Sequence, residues 1–229
     1  MEKIKRLVEK YGGEVYNKLK DPVFFINEII GFEREPFKLT CYQEEWLKLV
    51  ETYNFLNIAS WRTSGKTDTL LVDYPIFKAF TQPNWQGILV SKSLEHSKDV
   101  LRIIREKIIG NEVLKTSIPS GKEGLWSKTQ LQLKNNSIIF SRPCNENLPG
   151  KHVDYIGGDE FGYWKDMDVI EKIIPPMVLA KNGKVVFIGT TVSKIDPIHK
   201  IKKNPAYVTK WYPVNLKYQD KTLWEWRYP

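Results

Sequence analysis

"ASWRTSGKTDTL", residues 59–70, is the stretch on which the fold turns. Gly65-Lys66-Thr67 closes a phosphate-binding loop of the pattern G-x-x-x-x-G-K-[ST], yet counting back puts Ser60 where the first glycine belongs. Trp61 and Arg62 then fall inside a loop ordinarily built of small residues, with Thr63 and Ser64 completing it. Such a loop joins a strand end to a helix start, so that backbone N–H groups and the helix dipole converge on phosphate. The flanks meet that requirement. "FLNIAS" (55–60) reads as a short strand, and "KTDTLLVDYPIFKAF" as a helix running to about Thr81 with a bend at Pro75. In this setting Gly65 lets the backbone approach phosphate, Lys66 reaches the β/γ oxygens, and Thr67 offers a hydroxyl to Mg²⁺. A chance G-K-T at a helix N-terminus carries the same letters, so a second motif has to decide.

Outward from the loop, helix and strand signals alternate. Residues 1–20 read as a solvated helix with Ile4, Leu7 and Val8 on one side. "DPVFFINEII" opens with Asp21 as cap and Pro22 at the first helical position, and Gly31 stops it. "YQEEWLKLVETY" is a further amphipathic helix. After the loop and its helix come a buried-type strand, "WQGILVS", and a helix through "LEHSKDVLRIIREKII" with Leu101, Ile104 and Ile108 at helical spacing. "TQLQLKNNSIIFS" predicts a β-hairpin turned at Asn135-Asn136, both of which tolerate positive φ. "HVDYIGGDE" is a strand, "MDVIEKIIPPMVL" a helix, and "KVVFIGTT" a final core strand. Helices between short apolar strands indicate an α/β domain with a mainly parallel central sheet flanked by helices. The expected division is an N-terminal helical extension packed on the core domain (1–40), the core itself (41–215) with the β-hairpin insertion, and the start of a linker or C-terminal segment (216–229).

The second motif is "VDYIGGDE", about ninety residues past the loop. A nucleotide hydrolase of this type needs an acidic residue at the end of a neighbouring strand to organise Mg²⁺, and a base to orient water. Asp159 fits the first role and Glu160 the second. Gly157 and Gly158 are odd in a core strand and point to a close backbone approach. Asp159 and Glu160 could instead merely cap a helix, but strand-loop-GKT and strand-DE within one α/β domain are far more specific together than apart. The fold expected is a P-loop NTPase of the ASCE type. "FIGTT" ends a third strand in paired hydroxyls, and Thr190 and Thr191 are placed to sense a terminal phosphate or simply to satisfy the strand end.

The bulk composition sets limits. At 229 residues the chain is long enough for a sizeable core, and 41% hydrophobic with 27% charged residues is ordinary for a globular protein. "MEKIKRLVEK" lacks an apolar signal region and the apolar runs are short, so no membrane span or secretion is expected. Cys41 and Cys144 have no metal-type or redox-type spacing and read as reduced structural thiols. A net charge of +8 favours polyanionic partners.

Taken together these residues resemble a family, the ATPase domain of the large terminase subunit, the DNA-packaging motor of tailed viruses. The resemblance covers most of the chain. "DPVFFINEIIG" is similar to the family's early helix, and "LTCYQEEWL" to its adenine-recognition segment, which places Gln43 on the base. "SWRTSGKT" is similar to its variant loop, where an arginine sits three residues before the G-K-[ST] glycine; here that is Arg62, and the missing first glycine fits. "LPGKHVDYIGGDE" resembles the family's L-R-G-x-x-x-D-x-x-x-x-D-E stretch, and "FIGTT" its coupling motif, pointing to Thr190 and Thr191. Two departures stand out: Pro149 replaces the arginine of the L-R-G element, and Trp61 is unusually bulky. With Pro149 there, Arg142 is the nearest upstream candidate for an arginine acting in trans.

The resemblance implies ATP and Mg²⁺ as cofactors, with Ser60 through Thr67, Gln43, Thr190 and Thr191 around the nucleotide and Thr67 and Asp159 around the metal. It also implies double-stranded DNA as substrate and self-assembly into a ring, a pentamer on a portal. A small terminase subunit and the portal would be partners, in the cytoplasm of an infected host cell. A helicase-like nucleic-acid-dependent ATPase is the alternative, since the order Gln43, GKT, DE suits that class too. A nucleotide-regulated binding module that does not turn over ATP would have no use for Glu160. No nuclease activity is expected, because residues 192–229 offer just Asp196, Asp220 and Glu225 as acids and the first two read as turn residues. His96, His152 and His199 lack metal-ligand spacing. The tryptophans, Trp224 and Trp226 among them, read as core or interface residues.

Overall fold

A computed structural model describes residues 2–31, 38–120, 126–145, 148, 152–218 and 221–227. Eight strands form one sheet: β1 (Phe55–Ser60), β2 (Gln86–Ser91), β3 (Trp126–Ser127), β4 (Gln130–Gln132), β5 (Ile138–Pro143), β6 (Tyr155–Gly158), β7 (Lys184–Gly189) and β8 (Val208–Tyr212). Their order across the sheet is β3-β4-β5-β2-β6-β7-β1-β8. From β5 to β8 every pairing is parallel; at the other edge β4 pairs antiparallel with β5 as the expected hairpin, and β3 adds to β4 antiparallel.

The apolar runs of the central strands are explained by burial on both faces, as a parallel sheet requires. Side chains alternate between the faces. Leu56, Ile58, Leu89, Ile139, Tyr155, Val186 and Ile188 enter one core cluster, with Leu70, Leu101, Ile104 and Ile108 from the helices above them. Ala59, Ile88, Val90, Phe140, Ile156, Val185 and Phe187 enter a second cluster on the other face, with Ile170, Ile174 and Ile198.

The helices are α1 (Glu2–Tyr11), α2 (Val15–Lys18), α3 (Pro22–Phe25), α4 (Cys41–Thr52), α5 (Tyr74–Thr81), α6 (Leu94–Gly110), α7 (Ile174–Leu179), α8 (Pro197–Ile201) and α9 (Leu223–Arg227). Asp21 caps α3 as expected: its carboxylate accepts the Phe24 N–H at 2.7 Å, with Pro22 in the first turn. Leu7, Val15, Phe25, Ile26 and Ile29 join the first core cluster, so the N-terminal helices pack on the same core as the sheet. Val8 departs from its expected place, being 40% exposed. The helix after the loop is wound in π register over Thr67–Asp73 before α5 begins. Pro75 has no N–H to give the carbonyl four residues back, and it falls in the first turn of α5, just past this change of register.

Two further expectations are refined. In the hairpin turn Asn136 alone takes positive φ, at 65°, while Asn135 anchors the turn by donating to the Ala79 carbonyl at 2.9 Å. Leu133 N–H donates to Ser137 O at 2.9 Å, which makes a three-residue loop ending in a left-handed residue. Nor is β7 the last core strand. β8 pairs in parallel with the outer side of β1, from Leu56↔Val208 to Ser60↔Tyr212. Buried Asn57 at the centre of β1 ties this edge together, its amide donating to Ile198 O at 3.2 Å and Thr209 Oγ1 at 3.3 Å. Cys41 and Cys144 are both free thiols. Among the described residues no helix is long and apolar enough to cross a membrane.

Candidate nucleotide site

The loop between β1 and the following helix explains its own odd letters. Ser60 is the last residue of β1, paired with Tyr212, so the position of the missing glycine lies in regular strand. Positive φ occurs later, at Thr63 (64°) and Gly65 (84°), which is where the chain turns back. Gly65 is needed for that turn; a glycine at 60 is not. Trp61 fits because its ring lies sideways against Tyr42, centroids 5.3 Å apart, in a row that continues through Trp46 to Tyr212. Beneath the loop the Ser64 carbonyl accepts from Tyr42 Oη at 3.2 Å and from Gln43 Nε2 at 3.5 Å. Gln43 also closes a capping box at the start of α4, its Oε1 accepting from Thr40 N at 2.9 Å and Thr40 Oγ1 at 3.0 Å. Thr40-x-x-Gln43 is a capping-box pattern readable in the sequence.

Lys66 sits at the centre of the site. Its ammonium donates to Trp61 O at 3.0 Å and to Thr190 Oγ1 at 3.3 Å, and Thr190 Oγ1 donates to Ser60 O at 3.1 Å. Burial pulls its pKa below the ordinary lysine value; Asp159 opposes that shift and Arg62 adds to it. Thr190 therefore reaches the loop from β7, the strand between β1 and β6, while Thr191 is exposed at the rim. Arg62 is exposed, and its Nη2 donates to the Tyr163 hydroxyl at 3.4 Å.

The acidic pair stands at the end of β6. Asp159 continues the ladder by donating its N–H to Val90 O at 2.9 Å, and its carboxylate lies 3.4–3.5 Å from Thr67 Oγ1. Burial raises its pKa, against the stabilising N–H of Glu160 and the charge of Lys66. The glycines before it make room. A Cβ on Gly157 would stand 2.5 Å from Leu71 Cδ2, and one on Gly158 2.6 Å from Phe187 Cδ1. Glu160 occupies the left-handed region at φ 52°, which costs a non-glycine residue roughly 1–2 kcal/mol. Its own N–H is held by Asp159 Oδ1 at 2.8 Å.

The Glu160 carboxylate meets two residues that sequence reasoning passed over: Lys92 Nζ at 3.1 Å and His96 Nδ1 at 2.9 Å. Burial pushes its pKa up, but these two partners outweigh burial and leave it below the ordinary value. Both residues follow β2, which is hydrogen-bonded to β6. Lys92 also stacks over the Tyr163 ring at 5.1 Å.

Arg142 stands apart from this cluster. It lies on β5, which β2 separates from β6, and donates to Ser141 O at 2.8 Å and Thr129 O at 3.4 Å while resting on the Phe140 ring. Pro149 and Asp220 fall outside the described residues, as does the side chain of Trp226. Among the described residues no group of three His, Cys, Asp or Glu side chains is close enough to hold a metal. The Thr67–Asp159 pair still suits Mg²⁺, which takes few protein oxygens and completes its shell with phosphate and water.

A glycine-turned loop from strand to helix, an acidic pair on a second strand and a third strand between the two are the arrangement of the ASCE-type P-loop fold. No known family pattern matches the chain, and no curated protein matches it in sequence. Solved structures do match in fold. The large terminase of bacteriophage HK97 is similar with a TM-score of 0.68 at 18% identity, over 89% of this chain and 45% of that one. A variant of the large-terminase ATPase domain of Thermus phage P74-26 is similar with a TM-score of 0.63 at 16% identity, over 86% of this chain and 87% of that one. The large terminase of a thermophilic bacteriophage, solved in complex with ADP, gives 0.57 at 10% identity, over 76% and 45%. The chain thus has the fold of the large-terminase ATPase domains and spans less than half the length of the HK97 terminase and of the ADP-bound one.

Proposed function

We propose that the chain is an Mg²⁺-dependent ATPase, the motor of a viral DNA-packaging terminase that couples ATP hydrolysis to translocation of duplex DNA. One observation carries the reading: Lys66, Thr67, Thr190, Asp159 and Glu160 converge from three adjacent strands on the turn at Gly65. The fold shared with terminase ATPase domains supports it. On this reading Lys66 holds the β/γ oxygens, Arg62 makes two-point contacts with phosphate, and Thr190 and Thr191 face the terminal phosphate. Thr67 and Asp159 hold Mg²⁺, which would offset phosphate charge. Glu160 orients and deprotonates the attacking water once it leaves Lys92 and His96.

Residues 41–215 are taken as the ATPase core, 1–40 as its helical extension and 216–229 as the start of a connecting segment. A ring of copies, pentameric on a portal, would supply an arginine in trans, with Arg142 the candidate. The small terminase subunit is a further proposed partner, in the cytoplasm of an infected host. Steady ATP turnover that duplex DNA stimulates and Lys66→Ala abolishes tests the reading. Turnover accompanied by strand displacement, without duplex translocation, would replace it with the helicase-like one.

A further inference from the structure

Past Gly189 the ladder between β7 and its neighbours ends: the last pair with β1 is Ala59↔Gly189, and the last with β6 is Gly158↔Phe187. Thr190 is thus the first residue of this segment that no strand pairing fixes, although its hydroxyl meets both Lys66 Nζ and Ser60 O. We propose that Asp196 is the positioning residue that holds Thr190 in place for ATP turnover, acting through the turn between them. The inference rests on the ATPase reading and adds a residue to its machinery.

Side-chain burial does not hold this segment. Residues 191–195 are all exposed, Val192 at 54% and Ile195 at 78%. Asp196, by contrast, is 5% exposed. Its Oδ2 accepts from Val192 N at 2.9 Å and from Ser193 N at 3.3 Å, two and three residues past Thr190. Its Oδ1 accepts from His199 N at 3.1 Å and lies 3.0 Å from His199 Nδ1. An aspartate that merely starts a helix before a proline needs the second half of this arrangement alone. Asp21 before Pro22 is such a cap, accepting the Phe24 N–H. The reach back to Val192 and Ser193 is what Asp196 adds, and it ties the chain just past Thr190 to α8.

The carboxylate stands on a fixed support. α8 is seated on the last residue of β7, where a Cβ on Gly189 would stand 2.9 Å from Ile198 Cδ1. Ile198 is fully buried, and its carbonyl accepts the Asn57 amide of β1. His199 rests its ring against Trp211 of β8 at 4.9 Å. Helix, cap and turn therefore form one braced unit on the carboxyl ends of β7, β1 and β8. Thr190 O in turn lies against the turn that follows Glu160, so closely that a Cβ on Gly162 would stand 2.8 Å from it. Loss of the Asp196 bonds would free the chain past Thr190 from this brace. Its hydroxyl would then lose its fixed place beside Lys66, where the terminal phosphate is expected.

Asp196→Ser in the full chain keeps an oxygen for the cap, a role serine fills well, and is too short to bond Val192 and Ser193 as well. It should lower kcat roughly 10–100-fold, the upper figure being the cost of a misplacement of about 1 Å. ATP affinity should stay within about twofold, because Lys66 keeps its phosphate contacts and the loss falls on the chemical step. Thr190→Val, which removes the hydroxyl and keeps the branched shape, should cost a comparable factor. Adding Asp196→Ser to it should cost no more than about twofold further, since residues acting as a unit are not additive. Thermal melting shows whether each variant is folded, and Asp196→Asn, which leaves one acceptor oxygen, is the second variant. Unchanged kcat in folded Asp196→Ser or in Thr190→Val, or losses that multiply in the double variant, would overturn the inference. So would loss of folding in both Asp196 variants, or ATP affinity falling in step with kcat, as a merely structural role predicts. All of these leave ATP turnover by the unmodified chain standing; its absence would overturn the ATPase reading, and this inference with it.

Discussion

Removing Lys92 and His96 should speed ATP turnover by freeing Glu160. Lys92 Nζ at 3.1 Å and His96 Nδ1 at 2.9 Å both hold Oε2 of the carboxylate, which fixes its orientation and lowers its basicity towards a water proton. The three side chains are 36–44% exposed, so solvent screens the contacts. Exposed pairs of this kind are worth roughly 0.2–1 kcal/mol each. Two of them hold Glu160 with about 0.4–2 kcal/mol, a factor of roughly 2–30 in population. The double variant Lys92→Ala, His96→Ala should therefore raise basal turnover by about that factor, measured as steady-state phosphate release without DNA. In a Glu160→Gln background the same pair should change nothing, because no carboxylate is left to release. A fall in turnover comparable to that of Glu160→Gln would show that Lys92 and His96 assist catalysis. Turnover unchanged within twofold would show that the contacts carry no useful energy. Either result refutes the reasoning.

Glu160→Gln itself should retain ATP binding and lose turnover by roughly 10²–10⁴-fold, the usual share of a general base, as measured by filter binding and phosphate release on one preparation. Lys66→Ala should cost at least roughly 10²-fold in turnover with an unchanged circular dichroism spectrum. Gly158→Ala should lower the melting temperature by about 2–12 °C, since overpacking costs about 1–3 kcal/mol and the new Cβ would stand 2.6 Å from Phe187 and 2.8 Å from Trp164. Asp196 caps α8 and accepts from the N–H groups of Val192, Ser193 and His199. Burial raises its pKa, but these bonds and the His199 ring outweigh burial and hold it below the ordinary aspartate value. The stabilisation is therefore complete above the unfolded value and lost as pH falls through the lower folded one. Urea midpoints of the parent chain and Asp196→Asn should differ at neutral pH and draw together only as pH falls below the ordinary aspartate value of about 3.9.

What the sequence made legible is local, and what it hid depends on which strands lie side by side. The strand-loop-helix around Gly65 and the acid pair after Gly157-Gly158 each sit within about a dozen residues, and periodicity plus turn chemistry suffice to read them. The first glycine of the loop template misled for a related reason: the template fixes letters, whereas the backbone needs positive φ, and here the turn takes it at Thr63 and Gly65. β8 escaped because "VTKWY" is an edge strand with exposed Lys210 at its centre, and such a strand lacks the unbroken apolar run of its neighbours. Gln43 shows the opposite limit, since its resemblance to a base-reading residue and its capping-box spacing point to different roles. The structure puts its carbonyl oxygen on Thr40. His96 was the least readable of all. As a lone histidine on α6 it has no motif, and its meaning comes from β2 lying beside β6, which delivers the residues after Ser91 to the residue after Asp159. No spacing rule links chain positions so far apart. If the strand order rather than the local sequence assigns His96 its role, a charge-neutral substitution at His152, which has no contact with Glu160 among the described residues, should leave basal turnover unchanged where His96→Ala raises it.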